Sequence, residues 1–487
     1  MAIIGAGVGG IATSILLAQK GYNVSVFEKN SYSGGRCGNF TKDGHRFDIG
    51  ATMIMMPGIY ERFYKRIGRS FQEELELFRM DPTYKIVFHD GKQFIFSSDL
   101  ARMRTQLESF EPGSYNKFLK FMQKSSVAFK LSIKHFIARN FNWMISMVNF
   151  RNLFLLFRVN AHRKYYSYIS KIFKNEALRF IFTLQNLYIG QNPLSASGVF
   201  AGLPYMELSE GVWFPKGGMN AIVQNLIKIA KENDVKFYFN SPVKEIRIQN
   251  KSAVGIVLDD DSFHAADRVI SNADLPYVYN KMLPESLLTK RMNLLNYTCS
   301  AIVFHWGLDT VYPQLNQHNV FVADNYKVSI QKIFRDRSLP DEQTFYVHSP
   351  IRSDLTAAPK GQDSLTAIVQ VGHLGKNGNQ DWAKIKKKAR EGILSRLKKE
   401  GLKDIDKHIK FEVCYLPKTW QTLFNLSKGA AFGSISHNLL QMGYFRPHNK
   451  HYQYKNLYFT GGSTQPGSGI PLVLLSAMLT SERIGKK

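Results

Sequence analysis

Acidic residues are scarce in this chain of 487 residues, where 38 Asp and Glu face 64 Lys and Arg for a formal net charge of +26. A surplus of that size calls for a polyanionic partner, nucleic acid or an anionic lipid surface, and says nothing about fold. Cysteine is scarcer still: Cys37, Cys299 and Cys414 are far apart, odd in number and free of CxxC spacing. That excludes a disulfide framework and points to a reducing compartment. Long uncharged apolar runs are missing. The most apolar window, residues 141–159, is interrupted by Arg151, Arg158 and several Asn, short of the ~20 residues needed to span a bilayer, so no transmembrane helix is expected. The N-terminus has no basic segment followed by an apolar one, because glycines begin at Gly5 and continue to Gly10; no signal peptide is expected, and triplets such as Asn39-Phe40-Thr41 read as chance. No Ser-His-Asp arrangement, HExxH or metal-spaced His/Cys cluster is evident, so neither a metal ligand nor a catalytic acid or base is named. His437, His448 and His451 are read as surface or structural residues. No nucleic-acid-binding module accompanies the charge, which disfavours nucleic acid as the partner.

What is present is ordinary globular material, 44% hydrophobic and 21% charged, which excludes disorder, collagen and a polytopic membrane protein. At about 150 residues per domain the length corresponds to roughly three domains. Met1 to Ile4 reads as a short buried strand running into Gly5-Ala6-Gly7-Val8-Gly9-Gly10, a GxGxxG pattern. Ile11 to Lys20 has helical periodicity, Gly21 ends it, and Tyr22 to Phe27 is a second strand closed by Glu28 and Lys29. Strand, glycine turn, helix, strand and acid in that order form the Rossmann βαβ fingerprint of an α/β fold. Gly5 permits the tight turn, Gly7 lets the backbone approach a pyrophosphate, and Gly10 lets helix and strand pack closely, with the phosphates on the free N–H groups of the helix and Ala6 and Gly9 counted among the cofactor-binding residues. Glu28 is placed to accept hydrogen bonds from both ribose hydroxyls. Only four residues precede Gly5, so the first strand is short, as in a chain lacking its first few residues.

Ser33-Gly34-Gly35-Arg36-Cys37-Gly38 follows the second strand, and Phe47-Asp48-Ile49-Gly50-Ala51-Thr52 reads as a strand entering a glycine turn. A glycine pair bends the backbone close to a ligand, and Arg36 supplies a forked donor for phosphate or flavin oxygens. Here the chain resembles the flavoproteins that pair a Rossmann unit with a GGR motif, amine oxidases and carotenoid desaturases among them. That resemblance implies FAD. Near the C-terminus, strand Leu457 to Thr460 passes into Gly461-Gly462-Ser463-Thr464-Gln465-Pro466-Gly467-Ser468-Gly469, and then into an apolar helix opening at Ile470 and Pro471. Proline is tolerated in a first helical turn, whose positive dipole end would face a ligand at the glycine turn. If that ligand is an isoalloxazine, donors there stabilise negative charge at its N1–C2=O edge.

This segment is similar to the C-terminal signature of the bacterial and fungal phytoene desaturases, a family of FAD-dependent carotenoid desaturases. Gly211 to Met219, Phe237 to Ile246, Ala266 to Asp274 and Phe445-Arg446-Pro447 carry the resemblance from residue 3 to about 484. It implies that the backbone of Val243 lies against the FAD adenine. Gln465 departs from the pattern, standing where many members carry a histidine. The implied fold is a Rossmann-type FAD domain from residues 1–70, 211–280 and 440–487, a sheet-based substrate domain from 71–115 and 281–439, and a helical, membrane-associating insertion at 116–210. The implied reaction is desaturation of a long apolar polyene of the phytoene type, with hydride transfer to flavin N5, proton loss, and oxygen or a quinone as electron acceptor. Alternatives are a related desaturase, isomerase or oxidase acting on a C30 or hydroxylated carotenoid, an amine oxidase-like flavoenzyme, and a non-enzymatic flavin-containing scaffold.

The charge is concentrated. Residues 117–180 hold 13 Lys and Arg against the single acid Glu176, interleaved with Phe129, Phe136, Phe141, Trp143, Met144, Met147, Phe150, Phe154, Leu155 and Phe157. A basic, aromatic, amphipathic helical stretch suits a bilayer interface, with Trp143 and the tyrosines near Tyr165 at headgroup level and Arg and Lys on lipid phosphates. The expected placement is peripheral, on the cytoplasmic side of a membrane; the plainer alternative is a helical subdomain packing its apolar face inward. The lysines of the helix expected over Asp381 to Glu400 read as a solvated face.

Overall fold

Short β-branched strands that end in glycine or an acid build the centre of the molecule. The structure is a computed structural model that describes residues 1–375 and 380–485. A five-stranded, fully parallel sheet runs in the order Leu457–Phe459, Val269–Ser271, Ala2–Ile4, Ser25–Phe27 and Lys236–Tyr238. Alternation along these strands divides two cores. Ile3, Val26, Ile270 and Tyr458 face the helices Val8–Ala18, Asn220–Glu232 and Ile470–Ile484. Ala2, Ile4, Phe27, Val269, Leu457 and Phe459 face a three-stranded antiparallel layer of Val243–Gln249, Ser252–Leu258 and Phe263–Ala265. Coverage on both faces is what a parallel sheet requires. Four of its strands end directly in residues of the ligand crevice: Gly5, Glu28, Asn272 and Thr460-Gly461.

A seven-stranded sheet has the order Ile409–Tyr415, Ser300–Leu308, Asp363–Val371, Phe345–His348, His318–Phe321, Tyr84–Val87 and Gln93–Phe96. Its one parallel pair joins His318–Phe321 to Tyr84–Val87. Period-2 alternation again sorts the side chains. Ile302, Phe304 and Trp306 pack with Ala389, Ile393 and Leu397 of helix Trp382–Lys399, while Ala301, Val303 and Ile368 turn to the opposite face, which lines a cavity. Asp381 caps that helix by accepting from the Lys384 N–H at 3.0 Å. Lys384, Lys387, Lys388, Lys398 and Lys399 are exposed, as expected of a solvated face.

Between residues 114 and 209 the chain is helical but broken. Helices Ser114–Ser132, Phe150–Arg158, Tyr165–Ser170, Glu176–Ile181 and Gly202–Ser209 alternate with short turns, so no single long amphipathic helix forms. Among the described residues no helix is long and apolar enough to cross a membrane. The tyrosines expected at headgroup level belong to the core instead: Tyr165 is fully buried, its hydroxyl donating to the Phe182 carbonyl, and Tyr168 is buried beside it. Trp143, in contrast, is 75% exposed and Phe150 93%.

Ile302→Ala opens a hole between the large sheet and its helix. The expected loss is about 2–5 kcal/mol of unfolding free energy, read by denaturant titration, whereas Lys387→Ala on the solvated face stays within about 0.5 kcal/mol.

Candidate active site

The first glycine turn is held closed by its own acid. Glu28 Oε2 accepts from the Ala6 N–H at 2.8 Å, and its Oε1 accepts from the N–H and side-chain amide of Asn30. Each carboxylate oxygen has more than one lone pair, so Glu28, which borders the cavity, retains capacity for a ligand hydroxyl. A Cβ on Gly10 would overlap the Gly5 carbonyl, which is why helix and strand pack only through glycine here. Gly7 caps the helix Val8–Ala18 with no side-chain hydrogen bond. The first-turn N–H groups are left for an anion.

The second loop docks on the first, with the Gly34 N–H donating to the Ala6 carbonyl at 2.7 Å. Gly34 has φ +100°, in the left-handed region that favours glycine, and Val223 lies 3.1 Å from where its Cβ would be. Arg36 leaves the loop and donates to the Ala431 carbonyl at 3.0 Å. Near it Asp274 accepts from the Ser427 N–H and the Ser434 hydroxyl, and burial pushes its carboxyl above the usual range.

Arg446 organises the third loop. It is completely buried, and its five N–H groups all donate to main-chain carbonyls: Thr464, Ser436, Gln441, Ile435 and Gly462, at 2.7–3.3 Å. Carbonyl dipoles do the work of a counter-ion, and burial lowers the guanidinium pKa to about 9. A positive charge is thus fixed beside the turn that starts helix Ile470–Ile484. Gln465 is buried and donates to the Gly443 carbonyl at 2.8 Å, so it braces the same loop and does not border the cavity. Of the three histidines, none is at the surface: all are buried, and His437 accepts from the Ser468 N–H at 3.2 Å beside the cavity.

These loops enclose one cavity of about 840 Å³. Gly5, Gly7, Gly9, Glu28, Lys29, Gly34, Gly35, Arg36, Gly50, Ala51, Thr52, Val243, Gly461, Gly462, Gly469, Ile470 and Pro471 all border it. Ala6 and Gly10 lie behind its wall. The cavity continues past this polar end into Phe129, Phe136, Ile137, Met147, Leu156 and Val159 of the basic insertion, with Leu184, Leu187 and Phe200. Among the described residues the lining acids are Glu28, Asp259 and Asp274, all near the glycine loops; the apolar end holds no carboxylate to pair with an ammonium group.

Several neighbours escaped the sequence reading. Asn272 wedges its amide among the glycine loops, where a Cβ on Gly7 would come within 2.8 Å of Nδ2. It stands in Ser271-Asn272-Ala273-Asp274, and its position directly after a strand was the available signal. Tyr84 and Tyr188 border the cavity and both donate hydroxyls to the buried Glu207, the latter at 2.8 Å. Its signal was an acid inside the apolar helix Gly202–Ser209. Tyr346, also on the wall, donates to the Thr52 hydroxyl at 3.0 Å.

Residues 8–485 match the family described as flavin containing amine oxidoreductase. The chain is 39% identical to a zeta-carotene-forming phytoene desaturase of Myxococcus xanthus, over 99% of this chain and 93% of that protein. It is 37% identical to a phytoene desaturase of Fusarium fujikuroi, over 99% and 89%. An oxidoreductase from Methanosarcina mazei has the same fold, with a TM-score of 0.65 at 18% identity over 99% of both chains.

Replacing Arg446 by Met takes the guanidinium away from five carbonyls, of which, among the described residues, Ser436 alone keeps a side-chain donor, Gln441 Nε2. At about 1–3 kcal/mol for each unsatisfied group the variant is expected to unfold or to drop markedly in thermal midpoint. Arg446→Lys keeps the charge with at most three donors and falls between, a ranking that differential scanning calorimetry checks.

Proposed function

The chain belongs to the flavin containing amine oxidoreductases, and within them to the FAD-dependent carotenoid desaturases of the phytoene desaturase type; from that premise we propose how its own residues divide the work. It is an oxidoreductase of carotenoid biosynthesis that takes a hydrophobic carotenoid substrate. The observation that carries the reading is a continuous cavity joining the glycine loops to an apolar chamber.

The donor set fits FAD. The uncapped turn at Gly7 to Gly10 suits the pyrophosphate, Glu28 the ribose, the Val243 backbone the adenine, and Arg36 with Gly50, Ala51 and Thr52 the flavin side. Ala6 supports Glu28 from behind, and Lys29, Gly34 and Gly35 complete the loop. Gly461, Gly462, Gly469, Ile470 and Pro471 form the turn against the isoalloxazine, where the helix N-terminus and the fixed Arg446 charge favour the negative charge of the reduced state. When bound, FAD supplies the two-electron hydride acceptor. The protein orients the polyene in the apolar chamber and excludes water, which would otherwise trap an allylic cation as an alcohol. The division into an FAD domain, a sheet-based substrate domain and a helical insertion follows the same proposal.

The insertion also presents the molecule to its substrate's solvent. Trp143, Met144, Ile145, Phe150, Phe154 and Phe157 are exposed together on residues 143–157, with Leu439 and Leu440 exposed on a neighbouring loop. Met147 and Leu156 of the same segment line the cavity, and the Tyr444 N–H donates to Met147 Sδ at 2.9 Å. Lys134, Arg139, Arg151 and Arg158 flank the patch in exposed positions. Apolar side chains ringed by cations support peripheral docking on an anionic bilayer, with the chamber fed from the acyl region.

Expression in cells that accumulate phytoene should yield coloured polyenes by pigment chromatography; persistently colourless cells overturn the substrate. Glu28→Ala should weaken FAD retention by about tenfold or more, the worth of hydrogen bonds to a charged group, measured by flavin absorbance after gel filtration; full retention would sink its assignment. Flotation with anionic liposomes should recover the protein, and Phe150→Ser with Phe154→Ser should leave it in the pellet. Turnover that stops without oxygen and resumes with added quinone identifies the acceptor.

A further inference from the structure

Glu207 has no part in the FAD site, yet it lies behind the chamber wall, hydrogen-bonded to two residues of that wall. It is 1% exposed, on helix Gly202–Ser209. Oε1 accepts from the hydroxyls of Tyr84 and Tyr188, and Oε2 accepts from Gln185 Nε2 at 3.0 Å. Among the described residues, three donors and no cation surround it. All three neighbours donate to it, which favours the ionised carboxylate, while the buried Gln185 Oε1 is itself left without a donor. Its titratable neighbours are Tyr84, Tyr165 and Tyr188. Burial pushes the carboxyl up to about 7, so near neutrality it exists in both states.

The two tyrosines connect this carboxyl to the chamber from the side of the flavin loops. Tyr188 borders the cavity two residues before Gly190, where an added Cβ would overlap Phe432. Phe432 adjoins Ala431, whose carbonyl holds Arg36. Tyr84 is electrostatically coupled to Tyr346, which donates to Thr52.

Resting on the desaturase reading above, we propose that Glu207 is the proton sink of the reaction, reached from the substrate through the Tyr188 hydroxyl. Bound FAD would supply the acceptor for a hydride, which leaves one allylic carbon with its electron pair. The C–H bond on the adjacent carbon then breaks, and its electron pair becomes the new C=C bond. The proton goes to the Tyr188 oxygen as the Tyr188 hydroxyl proton passes to Glu207 Oε1. The substrate loses two electrons and FAD gains them. A proton beside a cationic carbon is strongly acidic, so the demand on the protein is a dry, oriented place to put it, which an apolar wall cannot offer and this carboxylate can.

In the acceptor role Glu207 must be ionised. Activity of the wild type therefore rises with pH through about 7, and below that value the acid is already protonated. Glu207→Gln preserves the volume and is expected to lower kcat about a hundredfold or more, to remove the acid limb of the pH profile, and to enlarge the deuterium isotope effect at the proton-losing carbon, with FAD content unchanged. Glu207→Asp restores part of the rate, and Tyr188→Phe reproduces the loss with the carboxyl still in place, its titration moved further up because one donor is gone. Independently of turnover, infrared titration of the FAD-loaded protein should show a carboxyl band that disappears near neutrality and is missing in Glu207→Gln. Wild-type kcat and an intact acid limb in Glu207→Gln overturn the proposal; should that variant not fold, an unchanged kcat in Tyr188→Phe does so. Inactivity of the wild type on phytoene would instead count against the substrate reading and leave the infrared titration to decide the state of Glu207.

Discussion

One cavity has to hold a dianionic pyrophosphate at one end and a hydrocarbon at the other, and the placement of nearly every loop follows from that. Anions are met by backbone N–H groups, which need close approach and therefore glycine. Hydrocarbon is met by side chains without polar atoms. The two requirements belong to different parts of the chain, so they can share a cavity only where separate segments converge. Parallel strands of the small sheet deliver Gly5, Glu28, Asn272 and Gly461 to one edge. The large sheet turns Ala301, Val303 and Ile368 toward the same space, and the helical insertion closes it with Phe129, Phe136 and Leu156.

Polar groups buried around this cavity are handled in two ways. Arg446 is satisfied completely by carbonyls, a static arrangement that sets the shape of the last glycine loop and adds a fixed positive charge. Glu207 is satisfied by donors that can also relay a proton. The first is a structural charge with no freedom to change state at neutral pH, and the second is a group whose burial brings its titration to that range. Burial drives both shifts, opposed at Glu207 by its three donors; what differs is whether the neighbours suit one charge state or can serve two.

The basic insertion shows how composition misleads about geometry. Its aromatic residues are alike in sequence, but Phe141, Met147, Leu155 and Tyr165 are buried, Phe129 and Phe136 line the chamber, and Trp143, Phe150, Phe154 and Phe157 are exposed. Breaks between its helices rotate successive apolar residues to different sides, so no single helical period sorts them. Expecting the tyrosines at the surface failed for that reason.

The sequence by itself determined the Rossmann unit, the glycine loops that border the cavity and the fold class, because each rests on local patterns: a strand, a glycine turn, an acid at fixed spacing, a proline opening an apolar helix. Local dihedral and hydrogen-bond demands make such patterns readable one segment at a time. Only the tertiary structure decided which residues of separate segments meet, over separations from 16 to 267 positions. Asn272 among the glycine loops, Arg446 beneath the last turn, and Glu207 joined to Tyr84 and Tyr188 are contacts between separate segments. A lone acid in an apolar helix has no meaning until packing removes its water and supplies its donors, and that desolvation is a property of the assembled fold.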